Sequence, residues 1–198
     1  IATIGKGDLF CIGLDIAASE FYNPQTQHYE WGKKELSSDD LIELYAQLVQ
    51  EYPIYSLEDG LAQDDWQGWI TLMSTLGDTV QIVGDDLIAT STQRIKHAAM
   101  THAANATIIK PNQVGTVTET LQAIQLANEY GMNVIISHRS GETEDTFIAD
   151  LAVGTSSGQI KAGGFSRSER LAKYNRLLRI EDYLLSEEEG SPDVLFDL

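Results

Sequence analysis

Val134-Ile-Ile-Ser-His-Arg-Ser-Gly-Glu-Thr-Glu-Asp-Thr146 is an apolar run that breaks into His138, Arg139 and Ser140 before a helical pattern resumes. A buried strand that surfaces beside a helix N-terminus, carrying a cation and two hydrogen-bonding side chains, is a favourable place to hold an anion. The same event recurs along the chain. Asp15 ends Leu9–Leu14, Glu58 ends Ile54–Leu57, Asp85 ends Val80–Gly84, Lys110 ends Ala106–Ile109, and Lys161 ends Gly158–Ile160. Repeated strand–helix units with functional groups at the strand C-termini predict an α/β barrel with its chemistry on one face.

The six runs are short and apolar without alternation, as expected of parallel strands covered on both sides. Between and after them the spacing predicts helices near Ser38–Glu51, Asp64–Leu76, Thr92–Ala99, Thr116–Tyr130, Thr143–Val153 and Ser168–Leu185. Thr116…Glu119 and Ser166…Glu169 have capping-box spacing, Thr90…Gln93 is a weaker match, and Gly77 and Gly131 stand where C-terminal caps are expected. After Glu58 the strand-end residues recur every 23 to 28 residues, one βα unit each. The first interval is longer because Ala17–Leu36, rich in Tyr, Gln and Asn, inserts a loop that reads as a lid or edge contact. An open doubly wound sheet would gather its ligand at one Gly-rich turn. No G-x-G-x-x-G occurs here, so the barrel reading is preferred, with two of its eight strands expected ahead of Ile1. Residues 1–185 form one domain in this reading, and 186–198 an acidic, mobile tail.

Composition narrows the function. A net charge of −17 argues against nonspecific nucleic-acid binding and means that an anionic substrate needs a local cation. Cys11 is the only cysteine, which rules out an intrachain disulfide; its place in an apolar run predicts a packed thiol. No apolar stretch approaches the roughly 20 residues of a membrane span, and no signal segment is visible, which fits a cytoplasmic protein.

Three carboxylates from consecutive strand ends, Asp15, Glu58 and Asp85, would repel one another unless a cation neutralised them. Oxygen-only ligands suit Mg²⁺, and no Cys/His cluster offers a tetrahedral zinc site. Taken singly, each acid would more often be a helix cap or a solvated surface group. Lys110 and Lys161 leave the same rim, and a lysine beside another cation is brought toward neutral pH, where it can act as a general base. The plainer alternative is that both lysines balance the acids in an ion-pair network. Arg139 suits bidentate phosphate binding, with Ser140 and His138 beside it. His28, His97 and His102 lack such a context and read as surface residues. Carboxylate-bound metal, a lysine base and a phosphate-sized pocket together suggest proton abstraction α to a carboxylate, whose intermediate needs strong electrostatic stabilisation.

At these positions the sequence resembles the enolase family. The likeness is carried by Gly13-Leu-Asp-Ile-Ala-Ala-Ser-Glu-Phe21, Ser56-Leu-Glu-Asp59, Asp64-Asp-Trp66 and Val83-Gly-Asp-Asp-Leu87. It continues in Ile109-Lys-Pro-Asn-Gln-Val-Gly-Thr116, Ser137-His-Arg-Ser-Gly-Glu-Thr-Glu-Asp-Thr146 and Ser166-Arg-Ser-Glu-Arg-Leu-Ala-Lys-Tyr-Asn175. A Lys or His base working with one or two Mg²⁺ is the known pattern of that superfamily. The resemblance implies the (βα)₆ portion of an enolase-type TIM barrel, lacking the N-terminal domain and the first two barrel strands. It implies Mg²⁺-dependent, reversible dehydration of 2-phosphoglycerate to phosphoenolpyruvate, as in glycolysis and gluconeogenesis. In it Asp15, Glu58 and Asp85 hold the metal, Lys110 takes the C2 proton, Lys161 faces the carboxylate, Arg139 and Ser140 hold the phosphate, and His138 lines the pocket. It further implies a homo-oligomeric parent, with a cell-surface or secreted pool known for such proteins. The general-acid glutamate would lie outside this stretch, so the piece alone is expected to be inactive, or to serve as a non-catalytic binding module. Gly60-Leu61, Pro111 and Gly164-Phe165 depart from the family pattern without removing a named side chain.

Overall fold

The computed structural model describes residues 9–188, in two compact units divided at Val134/Ile135. In the first, β1 (Ile12–Asp15), β5 (Ile54–Glu58), β6 (Gln81–Gly84) and β7 (Ala106–Ile109) lie side by side in that order, and every pair is parallel. Asn133, which opens β8 (Asn133–Ser137), donates its N–H to Asn105 O at 2.9 Å beside β7. The crossovers are α1 (Ser38–Glu51), α2 (Trp66–Leu76), α3 (Thr92–Thr101), the single turn α4 (Pro111–Val114) and α5 (Val117–Glu129). Apolar residues of the strands (Leu57, Ile82, Ile108) and helices (Leu41, Trp69, Leu72, Ile95, Ala123) are fully buried, which is what a two-sided cover over parallel strands requires.

Helix starts follow side-chain chemistry. Ser37 and Asp40 form a reciprocal capping box on α1, which the sequence reading did not identify. Thr116 caps α5 by accepting from Glu119 N at 3.1 Å, as its spacing predicts. The cap of α3 is Ser91, not Thr90, and Gly77 ends α2 in right-handed conformation, whereas Gly131 is left-handed as expected.

Two expectations are corrected here. Ala17–Leu36 is not a structureless loop. A 3₁₀ turn (Ala18–Phe21) leads into a three-stranded antiparallel sheet of β2 (Tyr22–Asn23), β3 (His28–Trp31) and β4 (Lys34–Leu36). Trp31 pairs with Lys34 around a two-residue turn whose first residue, Gly32, has φ +66°, the conformation a tight hairpin favours. Tyr29 is fully buried, stacks near Phe21 and Tyr22, and donates its hydroxyl to Asp65 while accepting from Ala62 N at 2.9 Å. Asp65 also caps α2 through Gly68 N at 3.0 Å and accepts from Ser38 at 2.5 Å, so one carboxylate ties the hairpin, α1 and α2 together. Second, Cys11 is exposed rather than packed, along with Leu9 and Phe10. Among the described residues β1 pairs only with β5, so its approach is not covered on both sides.

In the second unit β8 runs on to Ser137 and His138 N donates to Lys161 O of β9 (Gly158–Lys161) at 2.9 Å. Helices α6 (Phe147–Gly154) and α7 (Ser168–Glu188) pack on each other, and α6 packs on β9 over Ala149, Leu151 and Ala152. Arg176 of α7 grips Asp150 of α6 through Nε at 3.0 Å and Nη2 at 2.5 Å. Helix α7 runs on through Glu188, and the rest of the expected tail, 189–198, lies outside the described residues. No described helix is long and apolar enough to cross a membrane.

Asn105 ties three backbone groups in the first unit: Oδ1 accepts from Ile82 N at 2.7 Å, and Nδ2 donates to Gly77 O at 2.9 Å and Val80 O at 3.3 Å. Asn105→Ala strips partners from three backbone groups at once and is expected to cost about 2 kcal/mol. The check is a lowered urea midpoint with unchanged m-value.

Candidate active site

In the first unit the parallel register sets the carboxylates in a stagger. Asp15 and Glu58 are register partners at the ends of β1 and β5. Glu58 in turn pairs with Val83, so Asp85 emerges two residues further along β6. Gly84 pairs with Thr107, and Lys110, three residues beyond, reaches back so that its Nζ forms an ion pair with Asp85 Oδ2. Both side chains are largely withdrawn from water, at 16% and 12% exposure, which strengthens the attraction relative to a surface pair.

The tightest carboxylate group is not the trio the sequence singles out. Asp59, Asp85 and Asp86 bring ligand-capable oxygens within 4.8 Å of one another. Their roles differ. Asp59 is buried with φ +45°, a left-handed conformation that Asp tolerates better than most residues, and the twist turns its carboxylate onto the next strand end. There Oδ1 accepts from Asp85 N and Oδ2 from Asp86 N, both at 2.9 Å. Both oxygens of Asp59 are thus committed to the backbone, and it acts as a brace. Asp85 is the opposite case: Oδ2 is held by Lys110, while buried Oδ1 has no hydrogen-bond partner. An orphaned carboxylate oxygen in a cluster of acids fits a hard divalent cation. Glu58 is buried at the end of β5 and Asp15 is exposed at the end of β1.

The electrostatics follow from crowding. Burial, aided by the charges of Asp85 and Asp86, pushes the Asp59 carboxyl up to about 7 against the two N–H bonds that favour its anion. Asp86 is raised first by burial and then by the Asp85 charge, with Lys110 opposing and Asp15 and Glu20 adding.

Lys110 itself is held from behind. Thr90 Oγ1 accepts from Lys110 N at 3.0 Å and donates to Gln113 Oε1 at 2.6 Å. Thr90 is fully buried, and both it and Ala89 adopt positive φ, +57° and +50°, values that side-chain-bearing residues rarely take.

In the second unit His138, Arg139 and Ser140 leave the end of β8, with Lys161 placed next to His138 by the strand pairing. Arg139 and Ser140 are exposed. Arg170 of α7 faces the His138 ring at Nδ1. A guanidinium only donates, so Nδ1 accepts and the neutral imidazole carries its proton on Nε2. Burial, then the charges of Arg170 and Lys161, holds His138 below the usual histidine range, with Glu142 opposing. Sequence reasoning assigned no role to Asp59, Thr90, Arg170 or Lys173. The Glu58-Asp59 and Asp85-Asp86 doublets and the Arg170–Lys173 spacing were visible, but which member of a doublet braces the other depends on a backbone twist.

A proton held by folded Asp59 near pH 7 is one the unfolded chain releases near pH 4. Asp59 therefore favours the folded state at low pH and loses that contribution as pH rises through about 7. In the presence of a chelator the Tm of wild type is expected to fall between pH 5 and pH 8, and Asp59→Asn to flatten that slope. Melts at a series of pH values decide it.

A family model described as the enolase C-terminal TIM barrel domain matches residues 1–191. The alternation of parallel strands and helices, with acids and lysines at the strand ends, is the corresponding part of that barrel architecture. The chain belongs to the family of enolase C-terminal TIM barrel domains.

Proposed function

We propose that this chain is the barrel portion of an enolase that interconverts 2-phosphoglycerate and phosphoenolpyruvate. The observation that carries the reading is the Asp85–Lys110 pair, in which a half-buried lysine and a half-satisfied carboxylate share one strand-end site. Asp15, Glu58 and Asp85 would hold Mg²⁺, the orphaned Oδ1 of Asp85 being the clearest open ligand. Bound there, the ion would supply fixed positive charge against the enolate that forms at the substrate carboxylate.

The chain's own residues divide the remaining work. Lys110 takes the C2 proton, which requires its amine to be neutral as substrate arrives. The ion pair places the Lys110 amine at the Asp85 carboxylate, at the strand-end site where the substrate would meet it. Thr90 keeps the Lys110 backbone in place while the side chain changes partner. Lys161 stabilises the substrate carboxylate, Arg139 and Ser140 hold the phosphate, and neutral His138 lines the pocket and donates from Nε2. A partner residue outside the described chain would protonate the departing hydroxyl. Within this reading the protein works in the cytoplasm as a homo-oligomer.

Lys110→Ala in the whole protein is expected to reduce exchange of the C2 proton by 10³-fold or more with Mg²⁺ affinity within a few-fold of wild type, in the range for loss of a general base. Exchange at near wild-type rate removes Lys110 from the base role. Turnover of an acid sugar in place of 2-phosphoglycerate would assign the chain to a different reaction on the same fold.

The adjacent acids separate cleanly. Asp85→Asn is expected to weaken Mg²⁺ binding at least tenfold in isothermal titration, and Asp86→Asn far less. The reverse order would make Asp86 the ligand.

A further inference from the structure

Two cations in the second unit are buried and unused by the chemistry above. Arg170 is 7% exposed and Lys173 is 0% exposed, and they stand three residues apart on one face of α7. Burying such groups is costly unless each finds partners, and all but one of the partners here lie on the segment that follows β8, the exception being Glu169 O on α7 itself. Arg170 Nη1 meets the His138 ring and donates to Arg139 O at 3.1 Å, and its Nη2 donates to Ser140 O at 2.9 Å. Lys173 Nζ donates to Thr143 O and to Glu169 O, the latter at 2.8 Å, and pairs with Glu142. Glu142 lies 3.4 Å from the Arg139 N–H, which closes the loop on itself. Gly163, at φ +85°, makes room for the arginine: a Cβ there would lie 2.6 Å from Arg170 Cδ.

The consequence is directional. In a trans peptide the carbonyl and the next N–H point opposite ways. Drawing the Arg139 and Ser140 carbonyls onto Arg170 turns the N–H groups of Ser140 and Gly141 away from it, as successive donors on one side of the backbone. Two N–H groups presented on one side can donate to an anion, and Arg170 behind them supplies a fixed positive charge in a protein of net charge −17.

We infer that Arg170, supported by Lys173, is a positioning residue that shapes the 138–143 segment for a phosphate group. The inference deepens the reading of Arg139 and Ser140 as phosphate ligands and rests on it. The test compares Arg170→Lys, which keeps the charge but not the two-armed fork, with Arg170→Met, which keeps neither, both in the whole protein. Expected in both variants are a KM for 2-phosphoglycerate raised tenfold or more, kcat within about threefold, and Mg²⁺ affinity unchanged. Amide exchange should accelerate at least tenfold over 139–143 and not in the rest of α6 and α7. Full recovery by Arg170→Lys would mean that charge alone matters and overturns positioning. So would a KM within twofold of wild type, unchanged exchange at 139–143, or loss of the whole fold in both variants. If wild type does not turn over 2-phosphoglycerate, the reaction assigned above fails separately. Exchange and calorimetric binding of inorganic phosphate then judge the clamp, tenfold weaker phosphate binding in both variants being expected and unaltered binding overturning it.

Discussion

Carboxylates crowded at the ends of buried parallel strands repel one another, and each must find a donor or a cation before the strands can end there. The first unit is organised around that constraint. Asp59 gives up both oxygens to the backbone of the neighbouring strand end, Asp85 gives one to Lys110, and one oxygen of Asp85 stays unmet. The left-handed turn at Asp59 and the Thr90 bridge to Lys110 both serve the same arrangement. The second unit meets the mirror-image difficulty, buried cations, and resolves it with backbone carbonyls and one glutamate. In each unit a side chain at a strand end is held by an immobile partner behind it, the condition for a preorganised electrostatic site.

Much of this was legible in the sequence, and the reason is topological. A parallel strand covered on both faces has to be apolar throughout, so the first polar residue after it marks the end where side chains can emerge. All six strand-end residues could be named that way because Ile54–Leu57, Ala106–Ile109 and their like are unbroken. Cys11 was misjudged by the same rule, since among the described residues β1 has a neighbour on one side only and its approach is exposed. The β2–β4 hairpin was hidden because its strands are two to four residues long, too short for a period-2 pattern to stand out from Gln- and Asn-rich surroundings. The clue was local: Gly32-Lys33 between Trp31 and Lys34 is a two-residue turn.

The site divides along a similar line. Asp15, Glu58, Asp85, Lys110, His138, Arg139, Ser140 and Lys161 could be singled out by position, and the structure places each at or just after a strand end. Asp59 could not, because its role depends on a positive φ that redirects its carboxylate across to β6. Lys173 could not either. A lysine on a helix reads as solvated, and its complete burial is made tolerable by the Glu142 carboxylate and the Thr143 carbonyl, some thirty residues earlier, together with the Glu169 carbonyl.

The pair Ala89–Thr90 carries a cost of another kind. Two successive side-chain-bearing residues in the left-handed region cost on the order of 1 kcal/mol or more apiece. The obvious remedy, glycine at position 90, would relax the backbone and at the same stroke delete the hydroxyl that anchors Lys110. The local optimum for thermal endurance and the local optimum for holding Lys110 in place thus call for different residues at one codon. Anyone stabilising this scaffold by backbone relief would find position 90 closed to them, while position 89, whose side chain is only a methyl, stays open.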